Sequence, residues 1–283
     1  MAPTHHFFLV PGFFGFANLG EFYYFSHPFV YLKDQTHARK IKARVTRVRT
    51  LPTASLRKRT IMLYKTIQRE AGDHDGPIHI IGHSSGGLDG RLLVTPGVNL
   101  APGMDVRPLV KRVRSLVTLS SPHTGTPLAS FFGSSMGQPL LKLLSLATIY
   151  TLRFGHLPIS FVFKLAGLLV RIDNAVGWRD TLVDQLFGEL LSDFSPNRRQ
   201  QVRAYFEEVQ SDQALVFQLT PDTMDVFNAS AGNRRSVAYA SVVTMGRRPG
   251  ISSRLAAGLN PYDQVTHTAY ERSEERRVGK ECA

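Results

Sequence analysis

Residues 77–87 read Pro-Ile-His-Ile-Ile-Gly-His-Ser-Ser-Gly-Gly, a pattern that predicts a buried strand, a sharp turn and the start of a helix. The apolar, β-branched run 78–81 is typical of a parallel strand that is buried on both faces. Gly82 to Gly86 match G-x-S-x-G, a spacing that places the central serine on a strained turn above the sheet. We therefore predict Ser84 as a nucleophile, and an ordinary strand-to-helix turn is the alternative.

A serine that attacks a carbonyl group needs backbone N–H groups to bind the oxyanion. The helix predicted over 88–94 directs free N–H groups toward such a site, and Ser85 directly follows the nucleophile. Upstream, the apolar strand 6–11 runs into the glycine-bracketed loop 12–15. A loop in this place supplies the second donor in such sites, so we predict the N–H groups of Phe13 and Ser85 as the oxyanion hole.

Strands and helices alternate along the first part of the chain. The pattern predicts a half-buried strand over 43–49, a basic amphipathic helix over 55–71 and a strand over 113–119. A further strand is predicted over 236–244. This order predicts an α/β fold with a mostly parallel, doubly wound sheet.

A helical insertion is predicted at about 128–232. Its segments 140–152 and 159–170 are apolar on nearly all sides, and 182–191 carries an apolar stripe. Helices of this kind need a covering surface. We predict a cap or lid that closes over Ser84 and opens at a lipid surface; an ordinary helical insertion packed on the core is the alternative.

The composition is that of a globular protein with a strongly basic balance. The 283 residues carry a net charge of +12, and 43% of them are hydrophobic. Nine Lys and Arg residues lie between positions 39 and 59, without interleaved aromatic residues, so we expect a solvated face and no nucleic acid partner. The sole cysteine allows no internal disulfide. No secretory signal or membrane-spanning run is visible, which favours the cytoplasm and leaves secretion by another route open.

Four stretches give the chain a resemblance to bacterial triacylglycerol lipases and esterases of the α/β-hydrolase superfamily. They are Val-Pro-Gly-Phe-Phe-Gly at 10–15, Gly-His-Ser-Ser-Gly-Gly at 82–87, Ser-Pro-His-Thr-Gly-Thr-Pro at 121–127 and the segment 219–228. The resemblance covers about residues 5–270. It implies an α/β-hydrolase fold and hydrolysis of acylglycerols or other esters, at a lipid–water interface, through an acyl-enzyme on Ser84.

Two other hypotheses for the function stay open. One is an acyltransferase that uses the same serine and passes the acyl group to an alcohol other than water. The other is a non-catalytic protein that binds lipid or a partner through the apolar insertion. We expect no cofactor and no metal ligand among these residues.

The sequence offers no clear base for Ser84. The resemblance places an acid in a loop after the strand 236–244 and a histidine further on. Here Asp263 and His267 are four residues apart on one predicted helix, a spacing that suits a capping or surface pair. We expect His123 to be structural or to line the site.

Residues 272–282, Arg-Ser-Glu-Glu-Arg-Arg-Val-Gly-Lys-Glu-Cys, match one translated frame of a common short-read sequencing adapter. We therefore expect an α/β-hydrolase domain over 1–271 that lacks the last part of its core, followed by a non-native tail over 272–283. A chain cut in this way is expected to hydrolyse esters poorly. The alternative is a genuine, charged and disordered tail.

Overall fold

The computed structural model describes residues 3–13, 25–133, 137–154, 156–170, 179–244 and 250–258, together with residues 264 and 267. Two compact units are present: residues 1–141 with 194–244, and residues 142–193 with 245–283. Asp263 and the predicted tail 272–283 lie outside the described residues. The predicted limits of the domain and of its insertion stay predictions.

A five-stranded sheet forms the centre of the first unit. Its strands are β1 (His5–Val10), β2 (Ala43–Arg47), β3 (Ile78–His83), β4 (Val113–Leu119) and β5 (Ala238–Val242). All neighbouring strands are parallel, in the order β2-β1-β3-β4-β5. The predicted α/β fold with a parallel sheet is therefore confirmed. The strand order reverses between β1 and β3, and open parallel sheets bind ligands at the carboxyl ends of the strands at such a switch point.

Twelve helices fall within the described residues. They are α1 (Ser26–Ala38), α2 (Leu56–Ala71), α3 (Ser85–Val94), α4 (Arg107–Val110), α5 (Pro127–Phe132), α6 (Gly137–Phe154), α7 (Ile159–Val170), α8 (Arg179–Ser192), α9 (Pro196–Ser211), α10 (Ala214–Gln218), α11 (Pro221–Ser230) and α12 (Ile251–Ala257). No described helix combines the length and the apolar character that crossing a bilayer requires.

The main core lies between the sheet and the helices α2 and α3. Phe8, Ile80 and Leu116 of the sheet are buried there with Leu63 of α2 and Leu93 of α3. Burial of these side chains from water is the main force that holds the two helices on the sheet. Ser55 caps α2, because its side chain accepts a hydrogen bond from the Lys58 N–H.

The opposite face of the sheet is only half-buried. Along β3, burial alternates, and His79, Ile81 and His83 stay partly accessible, in contrast to the predicted burial on both faces. The described helix α1 approaches this face near β2, where the Arg47 guanidinium lies 4.1 Å from the centre of the Phe29 ring. We made no prediction for residues 26–38, and no residue of α1 is buried.

The second unit contains most of α6, together with α7 and α8, so the three helical segments predicted for the insertion are helices. Buried apolar side chains include Leu146, Phe161 and Leu186. The Tyr150 hydroxyl donates a hydrogen bond to Asp193, and burial with this partner raises the pKa of Tyr150 to about 12. The cap or lid function stays a prediction.

Candidate active site

Ser84 occupies the turn between β3 and α3, with φ +53° and ψ −129°. A residue other than glycine seldom adopts a positive φ, and such strain costs about 1–3 kcal/mol. The Ser84 N–H still donates to the Leu119 carbonyl at 2.8 Å, and the Gly87 N–H donates back to the Ser84 carbonyl at 3.1 Å. The strand thus runs up to the serine and the helix starts from it, which is the strand–turn–helix context of the nucleophile turn in α/β-hydrolases.

Steric contacts explain why the two outer positions of G-x-S-x-G are glycines. A Cβ atom added to Gly82 would lie 2.4 Å from the Gly86 carbonyl carbon, and one added to Gly86 would lie 2.3 Å from the Val10 carbonyl oxygen. Backbone therefore packs directly on backbone on both sides of Ser84. Any side chain at either position would push the turn apart.

The loop that follows β1 touches the serine. A Cβ atom added to Gly12 would lie 2.5 Å from Ser84 Cβ and 3.1 Å from Ser84 Oγ. Phe13 comes next in the chain and packs against the apolar cluster that includes Leu88 of α3. Phe13 is thus one residue away from the contact with Ser84, although its role as an oxyanion donor stays a prediction.

Ser85 is the first residue of α3 and is fully buried. The N–H groups of the first helical turn have no acceptor within the helix, and the helix dipole favours negative charge at this end. The Ser85 Oγ is a buried hydroxyl without a hydrogen-bond partner among the described residues. The position of Ser85 suits the predicted oxyanion donor, and that role also stays a prediction.

Within the described part of the chain, no hydrogen bond joins Ser84 Oγ to a histidine side chain. His123 Nε2 lies 3.2 Å from Thr118 Oγ1, and the His123 carbonyl accepts a hydrogen bond from Asn228 at 2.8 Å. Burial, with a smaller effect of the Arg91 charge, lowers the pKa of His123. These contacts agree with the structural or site-lining role that we expected for this histidine.

In the second unit, His267 Nε2 lies 2.8 Å from Ser253 Oγ. This contact accounts for one ring nitrogen of His267, and the predicted capping or surface pair with Asp263 stays a prediction. Asp263, the partner considered with it, lies outside the described residues.

Two of the stretches that carry the resemblance meet in the first unit. The Thr126 N–H donates to the Leu219 carbonyl at 2.8 Å, and a Cβ atom added to Gly125 would lie 2.7 Å from Pro221. Leu219 and Met224 belong to the same buried cluster as Leu88 of α3. The segment 213–231 is therefore held against the helix that starts at the candidate nucleophile.

We did not predict the buried ion pair between Arg59 of α2 and Asp89 of α3, which have no exposed side-chain surface. We expected Arg59 to lie on a solvated basic face, and this expectation is wrong for that residue. A signal was present in the sequence, because Arg59 lies three residues after Leu56 and four before Leu63, on the apolar side of the helix.

Comparison with known proteins gave no match to a protein-family model and none to a curated protein sequence. Among solved structures, the chain is similar to the mature form of a Bacillus licheniformis lipase, with 15% identity over 95% of this chain and 74% of that one and a TM-score of 0.44.

It is also similar to EstA from Clostridium botulinum, with 19% identity over 83% of this chain and 59% of that one and a TM-score of 0.46. The Staphylococcus hyicus lipase is similar as well, with 18% identity over 82% of this chain and 65% of that one and a TM-score of 0.43. The chain thus spans less than two thirds of the length of these last two proteins.

Proposed function

We propose that Ser84 is the nucleophile of a carboxylic ester hydrolase, and that the substrates are acylglycerols. The observation that carries the proposal is the backbone of Ser84. A non-glycine residue is held at φ +53° between a parallel strand and a helix N-terminus, at the switch point of the sheet. Such strain persists only where the surroundings enforce it, and it is common at functional sites.

In the proposed reaction, Ser84 Oγ attacks the ester carbonyl carbon, and its proton passes to a general base. The carbonyl oxygen becomes an oxyanion that the N–H groups of Phe13 and Ser85 stabilise, each contributing about 3–4 kcal/mol. Collapse of this intermediate releases the alcohol and leaves an acyl group on Ser84. Water then attacks the acyl-enzyme and releases the fatty acid.

The finer assignment to a triacylglycerol lipase has two supports. One is the resemblance carried by the four sequence stretches. The other is the apolar character of α6 and α7, in which Ile159 and Phe163 of α7 are exposed apolar side chains. These two side chains are one helical turn apart and form a small apolar patch, which is the kind of surface that a lipid would contact. The proposal includes no nucleic acid partner.

The test uses the full-length product of the natural gene. A serine-directed fluorophosphonate should label the peptide that carries Ser84, and Ser84→Ala should abolish labelling. The same variant should reduce hydrolysis of a nitrophenyl ester by at least about 10³-fold. Tributyrin emulsions compared with short soluble esters would test the acylglycerol assignment.

A folded protein in which Ser84 stays unlabelled, or in which Ser84→Ala hydrolyses esters at the original rate, would overturn the proposal and favour a non-catalytic binding protein. Added alcohols give a second discrimination. If acyl transfer to the alcohol exceeds hydrolysis at low alcohol concentration, the protein is a transferase that uses the same serine.

A further inference from the structure

Arg59 and Asp89 form a two-pronged ion pair in the core of the first unit. Arg59 Nη2 lies 2.7 Å from Asp89 Oδ2, and Nε lies 3.2 and 3.1 Å from the two carboxylate oxygens. A buried pair of this kind is costly to desolvate and is often no more stabilising than apolar side chains of the same size. Burial raises the pKa of Asp89 to about 6, although the charge and hydrogen bonds of Arg59 act in the opposite direction. Stability alone therefore does not explain the pair.

The other donors of the guanidinium bind backbone. Nη2 donates to the Pro11 carbonyl at 2.8 Å, and Nη1 donates to the Leu51 carbonyl. These carbonyls lie in the loops that follow β1 and β2. One side chain thus ties two loops at the carboxyl edge of the sheet to the helix that begins just after Ser84. A guanidinium can do this because its five N–H groups form a rigid fork.

The contact with Pro11 fixes the orientation of a peptide next to Ser84. In a trans peptide the C=O and the following N–H point in opposite directions. Because the Pro11 carbonyl points toward Arg59, the Gly12 N–H points away from it. Gly12 then packs against Ser84, and the Phe13 amide follows. Arg59 therefore holds the peptide that precedes Gly12, and with it the start of the segment that carries the Phe13 N–H.

We propose that Arg59, aligned by Asp89, is a positioning residue that holds the oxyanion-binding loop beside Ser84 through the Pro11 carbonyl. This inference rests on the function proposed above. It assigns to the buried ion pair a role in binding the transition state. This role is separate from any contribution of the pair to the stability of the fold.

The decisive variant replaces both charges with apolar side chains, as Arg59→Met with Asp89→Leu. Since no charge is left unpaired, the protein is expected to fold, with a melting temperature lowered by the loss of the donors to the Pro11 and Leu51 carbonyls. The Pro11 carbonyl loses its donor, so kcat should fall by about 10- to 100-fold. KM should change by less than about threefold. The affinity for a boronic acid that mimics the tetrahedral intermediate should fall in parallel with kcat.

Arg59→Lys is the second variant, because it keeps the charge beside Asp89 but lacks the fork. Its kcat should also fall, by about 10-fold. The matched control is Lys58→Met with Asp212→Leu. It removes the exposed ion pair of Lys58, the residue before Arg59 in α2, in which Lys58 Nζ lies 2.7 Å from Asp212 Oδ2. This control should leave kcat and boronate affinity unchanged.

The outcomes separate this inference from the proposed function. A wild-type protein that neither hydrolyses esters nor reacts with the phosphonate refutes the function. An active wild type, with a folded double variant that keeps its kcat and boronate affinity, refutes only the positioning role. If the double variant is unfolded, Arg59→Lys decides: an unchanged kcat and boronate affinity refute the role, and a parallel loss of both supports it.

Discussion

The ends of the neighbouring strands β3 and β4 are a natural comparison, because each is followed by a serine with positive φ. Ser84 has φ +53° and Ser120 has φ +48°. The Ser120 N–H donates to the Val242 carbonyl at 2.8 Å, and its hydroxyl lies 2.7 Å from Thr244 Oγ1. The Ser120 backbone and side chain are thus both tied to the segment around β5.

Ser84 has different surroundings. The helix α3 begins at the next residue, and Gly12 packs against the Ser84 side chain from the loop after β1. Within the described residues its hydroxyl makes no side-chain hydrogen bond. Strain is therefore common to both serines, and only at Ser84 does it coincide with a helix N-terminus and a close loop. Three predictions test this difference, beginning with the largest effect.

Gly12→Ala should reduce kcat/KM by about 100-fold or more. The new methyl group would lie 2.5 Å from Ser84 Cβ, so the loop or the serine must move by a substantial fraction of an ångström. The control is Gly232→Ala, where an added Cβ meets no atom within 4 Å. Ester hydrolysis and circular dichroism of both variants provide the measurement. Normal activity of Gly12→Ala would mean that this loop does not contribute to the site.

Ser84→Gly should be more stable than Ser84→Ala, by about 1 kcal/mol in the free energy of unfolding. Glycine adopts positive φ without a steric penalty, whereas alanine retains the strain. Both variants lack the hydroxyl, so denaturant unfolding compares the strain that alanine keeps at positive φ with the larger conformational entropy that glycine loses on folding. A more stable Ser84→Ala would indicate that the Ser84 backbone is relaxed, and the argument for an enforced turn would fail.

Ser120→Ala should have the smallest effect. Activity should stay within about twofold and stability should fall by about 0.5–1 kcal/mol, the value of one lost hydrogen bond. Hydrolysis rates measured beside those of Ser84→Ala provide the comparison. A loss of activity as large as that of Ser84→Ala would remove the distinction between the two strand ends.

The parts of the site that are local in sequence could be predicted. The turn at Ser84 could be recognised from a strand, two glycines and a helix, and all of them lie within 78–94. The strand β4 was likewise predicted with its observed limits, Val113–Leu119. In such segments the residue pattern of a single element is enough to predict its structure.

The remainder depends on neighbours that are distant in sequence. The apolar side of α2 indicated that Arg59 is buried, but its partner Asp89 lies on another helix and could not be identified from the sequence. The half-buried face of β3 could not be predicted either, because the exposure of His79 depends on which helices cover the sheet. Prediction from the sequence was therefore limited by not knowing which helices and strands contact each other, and not by the recognition of each element.

The parallel order of the strands also has a kinetic consequence. No two of the five described strands form a hairpin, and β3 pairs with β1 from the start of the chain, as in the pairing of His6 with Ile78. Contacts of such long sequence separation form late and slow folding. The strained conformation of Ser84 depends on contacts with the segments that follow β1 and on β4, so it can form only after these strands have paired with β3. The rate at which the refolding protein gains a Ser84 that reacts with the phosphonate therefore reports how fast these strands pair.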